Sequence, residues 1–356
     1  MSKKIVYLIP RFSTGGAEKM LLDYVRYFKG QGFEILVIAV LAGGELEIEF
    51  ENSGAKTYVF EKKGFFSFFK NLKKIKRIIK NFEADLVHSH VFSADFTAYF
   101  VKKEFKNTKW ISTQHNVEYN SSFIRKKVWA KILKSADKVI AVSEKVFVFD
   151  KNYFKLKNNL IKIQNGVDVE KWFTGKKEIL KNKTVNLAII GRLTKQKGHE
   201  YLFEALKDLK DKNWVLHIFG EGELKNKLKK IVKKFNLDKQ IIWRGVSKDL
   251  ITDTTEIDVL TQPSLWEGLS LVIMEMMLQG KIILASEIAA EELIQDKKTG
   301  FVCKNKKSKD LTEKIKYIIE NREECKKIAK IGQDYAVKNF AITENLKKVA
   351  AIYRDL

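Results

Sequence analysis

Cysteine is nearly missing from this chain, which has two, Cys303 and Cys325, among 356 residues. Two thiols cannot build a disulfide framework or a cysteine-rich zinc site, and they read as reduced thiols of a cytosolic protein. Long apolar runs are missing too. Stretches such as Ile35 to Ala42 fall far short of the roughly 18–20 residues that a spanning helix requires. The N-terminal MSKKIVYLIP enters a strand-like run without a signal peptide's longer apolar segment and small-residue cleavage site. Proline is down to two residues, and no repeat of short period occurs, which excludes solenoids. A soluble cytoplasmic protein is expected.

What is present supports folded domains. With 45% hydrophobic and 12% aromatic residues the chain can bury sizeable cores, which excludes bulk disorder. Its length exceeds what one core usually supports, so two domains are expected. Lys and Arg number 67 against 44 Asp and Glu, a net charge of +23. Such an excess suits nucleic acid, an anionic membrane surface or anionic substrates, alongside a compositional drift toward Lys, Asn and Phe. The first half is the more basic, and its charge is clustered.

Apolar strand-like runs alternate with helical stretches through both halves. In the first half they are Ile5–Pro10, Ile35–Val40, Leu86–His88, Trp110–Thr113 and Val139–Val142, with a helix from about Ala17 to Phe28. In the second they are Val185–Ile190, Leu216–Phe219, Ile241–Trp243, Val259–Thr261 and Ile282–Ala285. Alternation of this kind predicts α/β architecture: two Rossmann-like domains, each a parallel sheet wrapped by helices. Two such domains facing across a deep cleft would bind ligands beyond the carboxyl ends of their strands. The turn QNGVDVEKW and the charged stretch after it mark the boundary, giving domains 1–175 and 176–340 and a terminal segment 341–356.

The residues just after the strands therefore carry the chemistry. Ser13-Thr14-Gly15-Gly16 opens a helix, where glycine lets the backbone approach a ligand and free N–H groups face an anion. Gly191-Arg192-Leu193-Thr194-Lys195-Gln196-Lys197-Gly198 brackets a short loop with a guanidinium fork and an ammonium, a pairing suited to a diphosphate. It also reads as a solvated basic turn. The sharpest constellation is Pro263-Ser264-Leu265-Trp266-Glu267-Gly268-Leu269-Ser270-Leu271-Val272-Ile273-Met274-Glu275. Glu267 stays on the loop, and Glu275 falls on a helix from about Ser270 amid Val272, Ile273, Met274, Met276 and Met277, where an acid must find a hydrogen-bond partner. His88, His90 and His115 end two strands. His-x-His plus a distant His with no neighbouring Cys is weak evidence for zinc. His217, inside a strand, reads as structural, and His199 as a surface residue.

Taken together these segments resemble the retaining, nucleotide-sugar-dependent glycosyltransferases of family 4, which have the GT-B fold. The resemblance runs nearly the whole chain in order, through STGGAEK, VIAVSEKV, IQNGVDVEKW, GRLTKQKG, IFGEGEL and PSLWEGLSLVIMEMMLQGK. It implies a first domain that binds the acceptor, a second that binds the donor, and a C-terminal helix, about Ile342 to Tyr353, packed back on the first. Arg192 and Lys197 would bind the donor diphosphate and stabilise it as leaving group. Glu267 would contact the donor sugar, Glu275 the nucleotide ribose, and backbone N–H groups around Gly268, Leu269, Ser270 and Leu271 the sugar and phosphates, with Gly191 in the same donor site. Gly15 and Gly16 would approach the diphosphate from the other domain. His115 matches a histidine close to the transferred sugar, and His90 and Asn116 are cleft candidates on the acceptor side. No divalent metal and no cofactor is implied, since the basic pair replaces the cation, and no Asp-x-Asp pair lies near the expected cleft.

The chain departs from the family pattern at Ser270, Met276, Met277, Lys281 and the Ala289-Ala290 pair before Glu291, which leaves sugar identity open. Two other readings stand beside the resemblance. A non-catalytic binder of nucleic acid or anionic surfaces would account for the charge, yet the chain has neither an aromatic RNA platform nor a basic recognition helix. A GT-B epimerase would share the fold. Nothing in the sequence sets the oligomeric state. Finally, residues 65–82 place apolar side chains at helical spacing, with Lys70, Lys73, Lys74, Lys76, Arg77 and Lys80 between them. A helix of that length runs about 27 Å. Phe65, Phe66, Phe68 and Phe69 are too many aromatics for one stripe, so some should point outward beside Lys62 and Lys63. An ordinary amphipathic helix has the same pattern. Several family members with membrane acceptors have such a basic helix, so peripheral binding to the inner membrane face is expected.

Overall fold

The computed structural model describes residues 3–61, 64–117, 122–175 and 178–356, without the side chain of Phe65. The expectation for Phe65, Lys62 and Lys63 thus lies outside the described residues. The chain divides into two compact units, Met1–Asn165 with Thr343–Leu356, and Gly166–Ile342. The division falls earlier than residue 175, at the NGVD turn itself, where the two chain crossings lie side by side. Val167 N donates to Phe340 O at 2.8 Å and Ile342 N to Val167 O at 3.0 Å. Gly166 is required there, because a Cβ would sit 2.7 Å from the Cα of Ile342.

The first unit holds a seven-stranded sheet of β1 (Lys4–Arg11), β2 (Glu34–Ala42), β3 (Lys56–Val59), β4 (Leu86–His90), β5 (Lys109–Gln114), β6 (Lys138–Ala141) and β7 (Leu160–Lys162). Their order is 3-2-1-4-5-6-7 and all pairings are parallel. The second unit holds a six-stranded parallel sheet of β8 (Val185–Ile190), β9 (Trp214–Phe219), β10 (Ile241–Gly245), β11 (Val259–Gln262), β12 (Ile282–Ser286) and β13 (Phe301–Cys303), ordered 10-9-8-11-12-13. The central strands are buried on both faces because helices cover both faces: Ile5 to Ile9 and Leu86 to His90 are buried throughout. In the second unit two buried clusters form the core. One gathers Leu187, Ile189, Leu216 and Phe203; the other gathers Ala188, Leu260, Ile273 and Met276. Alternate residues of β8 thus pack on opposite faces of the sheet.

The helix Ile342–Asp355 belongs to the first unit from Thr343 onward. Its Tyr353 hydroxyl lies 3.1 Å from the Tyr7 hydroxyl and 2.5 Å from His88 Nδ1, while Asn345 accepts from Tyr24 at 2.8 Å and donates to Gln164 O at 2.9 Å. The five side chains Tyr7, Tyr24, His88, Asn345 and Tyr353 are buried, so each polar atom needs the partner it has. Both cysteines are free and buried. Among the described residues no helix is long and apolar enough to cross a membrane.

Candidate functional site

In the second unit, two loops seventy residues apart are fastened together. The β8 loop leads through Gly191 and Arg192 into a short 3-10 turn, Lys195–Lys197, and then the helix His199–Leu206. The β11 loop carries Pro263 to Ser270 ahead of the helix Leu271–Leu278. Leu265 N donates to Gln196 O at 2.7 Å, and Gln196 Nε2 donates to Trp266 O at 3.0 Å. Gly198 stands between the loops at φ 71, and a Cβ there would lie 2.0 Å from the Pro263 carbonyl oxygen. Both the conformation and the space demand glycine.

This fastening brings a cation and a carboxylate together. Lys197 Nζ donates to Glu267 Oε1 at 2.6 Å, and the same oxygen accepts from Ser264 Oγ at 2.9 Å; Gln196 Nε2 donates to Oε2 at 3.3 Å. Glu267 is buried and Lys197 half-buried, so the pair is a charge-assisted hydrogen bond in a partly desolvated place rather than a surface ion pair. Ser264 is held in turn, because Ser286 Oγ donates to its carbonyl at 2.6 Å. Gly191, at φ 146, has no Cβ to meet the Lys197 stem, whose Cε would be 2.8 Å away. Arg192 is exposed on the same loop.

The GEGEL turn after β9 explains its glycines by the same contact. A Cβ on Gly220 would lie 2.1 Å from Gly191 O, and one on Gly222 2.6 Å from Leu193 O; Leu193 N donates to Glu221 O at 2.9 Å. The turn braces the cationic loop backbone to backbone. Beyond it, Gly268 and Leu269 are half-buried and Ser270 caps the helix Leu271–Leu278 without a side-chain bond to it. The first N–H groups of that helix, from Leu271 onward, lack intrahelical partners and face outward from its start. Glu275 lies on the same helix, only 4% exposed, among the core residues Ile273, Met274, Met276 and Met277.

In the first unit Gly15 caps the helix Gly16–Gly30 in an extended conformation, φ −87 and ψ 166, which any residue adopts. The backbone itself does not demand glycine there. The three histidines do not splay around a metal position. They stack as a column: His88 on His90 with centroids 4.5 Å apart, and His90 on His115 at 5.2 Å. His88 uses both nitrogens, Nδ1 toward Tyr353 Oη and Nε2 toward Thr113 Oγ1 at 2.7 Å. His90 Nδ1 and His115 Nε2 lie 2.9 Å apart. Burial pushes His88 down to about 3 and His115 to about 4, and it holds His90 well below the usual histidine range, so all three are neutral at physiological pH. Asn116 is half-buried beside His115. Val91, next to His90, takes φ 71, an outlying conformation for a β-branched residue that lets β4 turn into the helix Val91–Glu104 at once.

His199 corrects its expected surface position. It is 2% exposed, and Leu202, Phe203 and Leu206, which share its helix face, are buried with it. His217 is bonded within the unit, to Asn186 Oδ1 at 3.3 Å and from Arg244 Nε at 3.1 Å. On the helix Phe65–Phe82, Phe66 is 87% and Phe69 49% exposed. Lys70, Lys73, Lys74, Arg77 and Lys80 are exposed with them; Lys76 is engaged, its Nζ 2.6 Å from Glu104 Oε2.

Comparison with known proteins agrees with this architecture. Residues 14–171 match the family model described as Glycosyltransferase Family 4, and residues 170–335 match that described as Glycosyl transferases group 1. The chain is 29% identical to an uncharacterized glycosyltransferase of Methanocaldococcus jannaschii over 82% of this chain and 81% of that one. It is also 29% identical to the UDP-Gal:alpha-D-GlcNAc-diphosphoundecaprenol alpha-1,3-galactosyltransferase of Escherichia coli, over 54% of this chain and 53% of the relative. Among solved structures, Anabaena Alr3699/HepE in complex with UDP-glucose superimposes with a TM-score of 0.90 at 20% identity, covering 99% of this chain and 100% of that one. With both halves matched in order and the two parallel sheets in place, the chain is a glycosyltransferase and belongs to family 4, with the two Rossmann-like domains of the GT-B fold.

Proposed function

We propose that this enzyme is a retaining glycosyltransferase that moves a sugar from a nucleoside-diphosphate sugar to a glycan or lipid-linked acceptor, in the assembly of bacterial cell-surface polysaccharide or lipopolysaccharide. The observation that carries the proposal is the Lys197–Glu267 bond across the two fastened loops, with Arg192 on the same loop. Breaking a sugar–phosphate bond releases an anionic diphosphate, and charge develops where a fixed cation counts most. Lys197, held by Glu267, and the guanidinium of Arg192 would receive that charge. Glu267, fixed by Ser264 and Gln196, would present its remaining acceptor capacity to the donor sugar's hydroxyls, and Glu275 would bind the ribose. Gly15 and Gly16 would complete the diphosphate site.

In the transfer, the acceptor oxygen bonds to the anomeric carbon on the face from which the phosphate oxygen leaves, so configuration is kept. The acceptor's proton passes to the departing phosphate oxygen. Glu267 and Glu275 then serve as binding groups rather than as a hydrolytic pair. Arg192 and Lys197 supply the positive charge that a divalent metal would otherwise bring, so no metal is needed. The acceptor domain would be the first unit, with His115 near the transferred sugar and His90 and Asn116 beside it.

We further infer a peripheral membrane position. Two exposed phenylalanines and five exposed basic residues on the helix Phe65–Phe82 would meet the inner leaflet, where a lipid-linked acceptor resides. The diphosphoundecaprenol substrate in the name of the Escherichia coli relative supports such an acceptor.

The test is turnover on a panel of nucleoside-diphosphate sugars, with the donor first found by thermal shift; a ligand at about a hundred times its dissociation constant stabilises by roughly 2.7 kcal/mol. Arg192→Ala should lower kcat about a hundredfold or more, and Glu275→Ala should raise the donor KM first. Full turnover by Arg192→Ala would remove the assignment.

A further inference from the structure

We propose that His90 is a positioning residue that donates from Nδ1 to His115 Nε2 and so keeps the His115 proton on Nδ1, the nitrogen left to meet a substrate. The inference rests on the proposed place of His115 at the transferred sugar and deepens it.

The geometry admits two proton arrangements for the 2.9 Å contact. In one, His115 donates from Nε2 and His90 accepts at Nδ1. A neutral His90 then carries its proton on Nε2, and that nitrogen is buried with no hydrogen-bond partner among the described residues. In the other, His90 donates from Nδ1 and its Nε2 is a bare lone pair. An orphaned buried N–H is rarer in folded proteins than an unpaired acceptor, so the second arrangement is favoured. Neutrality of both rings, which burial favours, removes the arrangements in which either ring is protonated on both nitrogens.

His90 can do this because its ring is packed in place. It is fully buried and sits between the rings of His88 and His115. His88 is fixed at both nitrogens by the hydroxyls of Tyr353 and Thr113. The strained Val91 follows directly, a conformation that persists only where the surroundings impose it. The C-terminal helix thus holds His88 through Tyr353, His88 supports His90, and His90 sets the tautomer of His115. With its proton on Nδ1, His115 is a hydrogen-bond donor toward a sugar hydroxyl oxygen rather than an acceptor.

Imidazole nitrogen-15 spectra of the histidine-labelled full chain read the tautomer without any substitution. His115 is expected as the Nδ1–H form. His90→Phe keeps the stack but removes the donor, so His115 should become a tautomer mixture. His90→Asn places an amide N–H where Nδ1 stood and should restore the Nδ1–H form. In turnover, His90→Phe should lower kcat by about ten- to hundredfold, by analogy with the loss when a partner orienting a metal-bound histidine is removed, with the donor KM little changed and kcat recovered in His90→Asn. A merely structural His90 would lower the melting temperature and leave the tautomer and kcat per folded molecule as they were. The proton found on Nε2 of His115, or full kcat in His90→Phe, overturns the positioning role and leaves the site reading intact. Unchanged turnover in His115→Ala instead removes His115 from the site, and with it the catalytic consequence of the contact.

Discussion

His88 offers a measurable test of how the first unit is held together. Its ring is buried between Tyr7, Tyr24, His90 and Tyr353, with Thr113 on Nε2. Burial pushes it down to about 3, whereas an unfolded histidine titrates near 6.5. The folded value is the depressed one, so this stability is complete above about pH 6.5 and is lost as pH falls toward 3. Between about pH 7.5 and about pH 5.5 the unfolded form gains a proton that the folded form refuses, which removes about 1.4 kcal/mol. Other groups titrate as well. Asp95 and Asp150 are buried carboxylates pushed up by burial, and they act with the opposite sign, so a raw stability curve mixes the two effects. His88→Gln isolates the histidine. The variant loses the Tyr353 contact and is less stable at the higher pH, but it has no ring to protonate. The gap between the two proteins should therefore narrow by about 1.4 kcal/mol on acidification over that interval. Urea titrations at both pH values, analysed for the transition of the unit carrying residue 88, read it. A gap that stays constant or widens would refute the claim that His88 is buried neutral.

Gly198→Ala places a β-carbon against the Pro263 carbonyl at a left-handed φ, so it should destabilise the second unit by about 1–3 kcal/mol from strain alone; wild-type urea stability would contradict the fastening of the two loops. Turnover should survive excess chelator, and complete loss restored by magnesium or manganese would count against the Arg192–Lys197 account of leaving-group charge. Co-sedimentation should favour anionic over neutral liposomes at low salt and weaken at high salt. Basic residues near an anionic leaflet contribute about 1 kcal/mol each, so removing Lys73, Lys74 and Arg77 should weaken binding roughly a hundredfold. Equal failure to bind both liposomes leaves a soluble acceptor as the better reading.

The fold was legible where strands are buried on both faces. Ile5–Pro10 or Ile282–Ala285 stand out as apolar runs because helices cover both sides of them. The three strands not foreseen, β3, β7 and β13, are all at sheet edges. Lys56–Val59 alternates exposed with half-buried residues, and Leu160–Lys162 is largely exposed; with one side facing water, such short segments carry no run to notice. His199 departs from its expected surface position for a different reason. A polar residue right after a glycine suggests a surface, yet its spacing to Leu202, Phe203 and Leu206 puts it on the buried face, and that period was the available signal.

The site divides along a similar line. Residue types announced its chemistry: a guanidinium and an ammonium on one loop, and a carboxylate after β11. Their partnerships belong to topology. Lys197 meets Glu267 only because β8 and β11 are neighbours in the sheet and Gly198 lets their loops touch. His90 meets His115 because β4 and β5 pair with His90 opposite Thr113, which leaves His115 two residues further along, on the same face as Thr113. A slip of one residue in that register would turn His115 to the opposite side of the sheet, with the composition and every motif unchanged. What the His-x-His pattern withheld was thus not a residue but a register. That register is set by strands whose apolar side chains, Val87 and Ile111 among them, do no chemistry at all. The imidazole column exists because the core aligns it, and the tautomer of His115 is a consequence of packing before it is a property of the site.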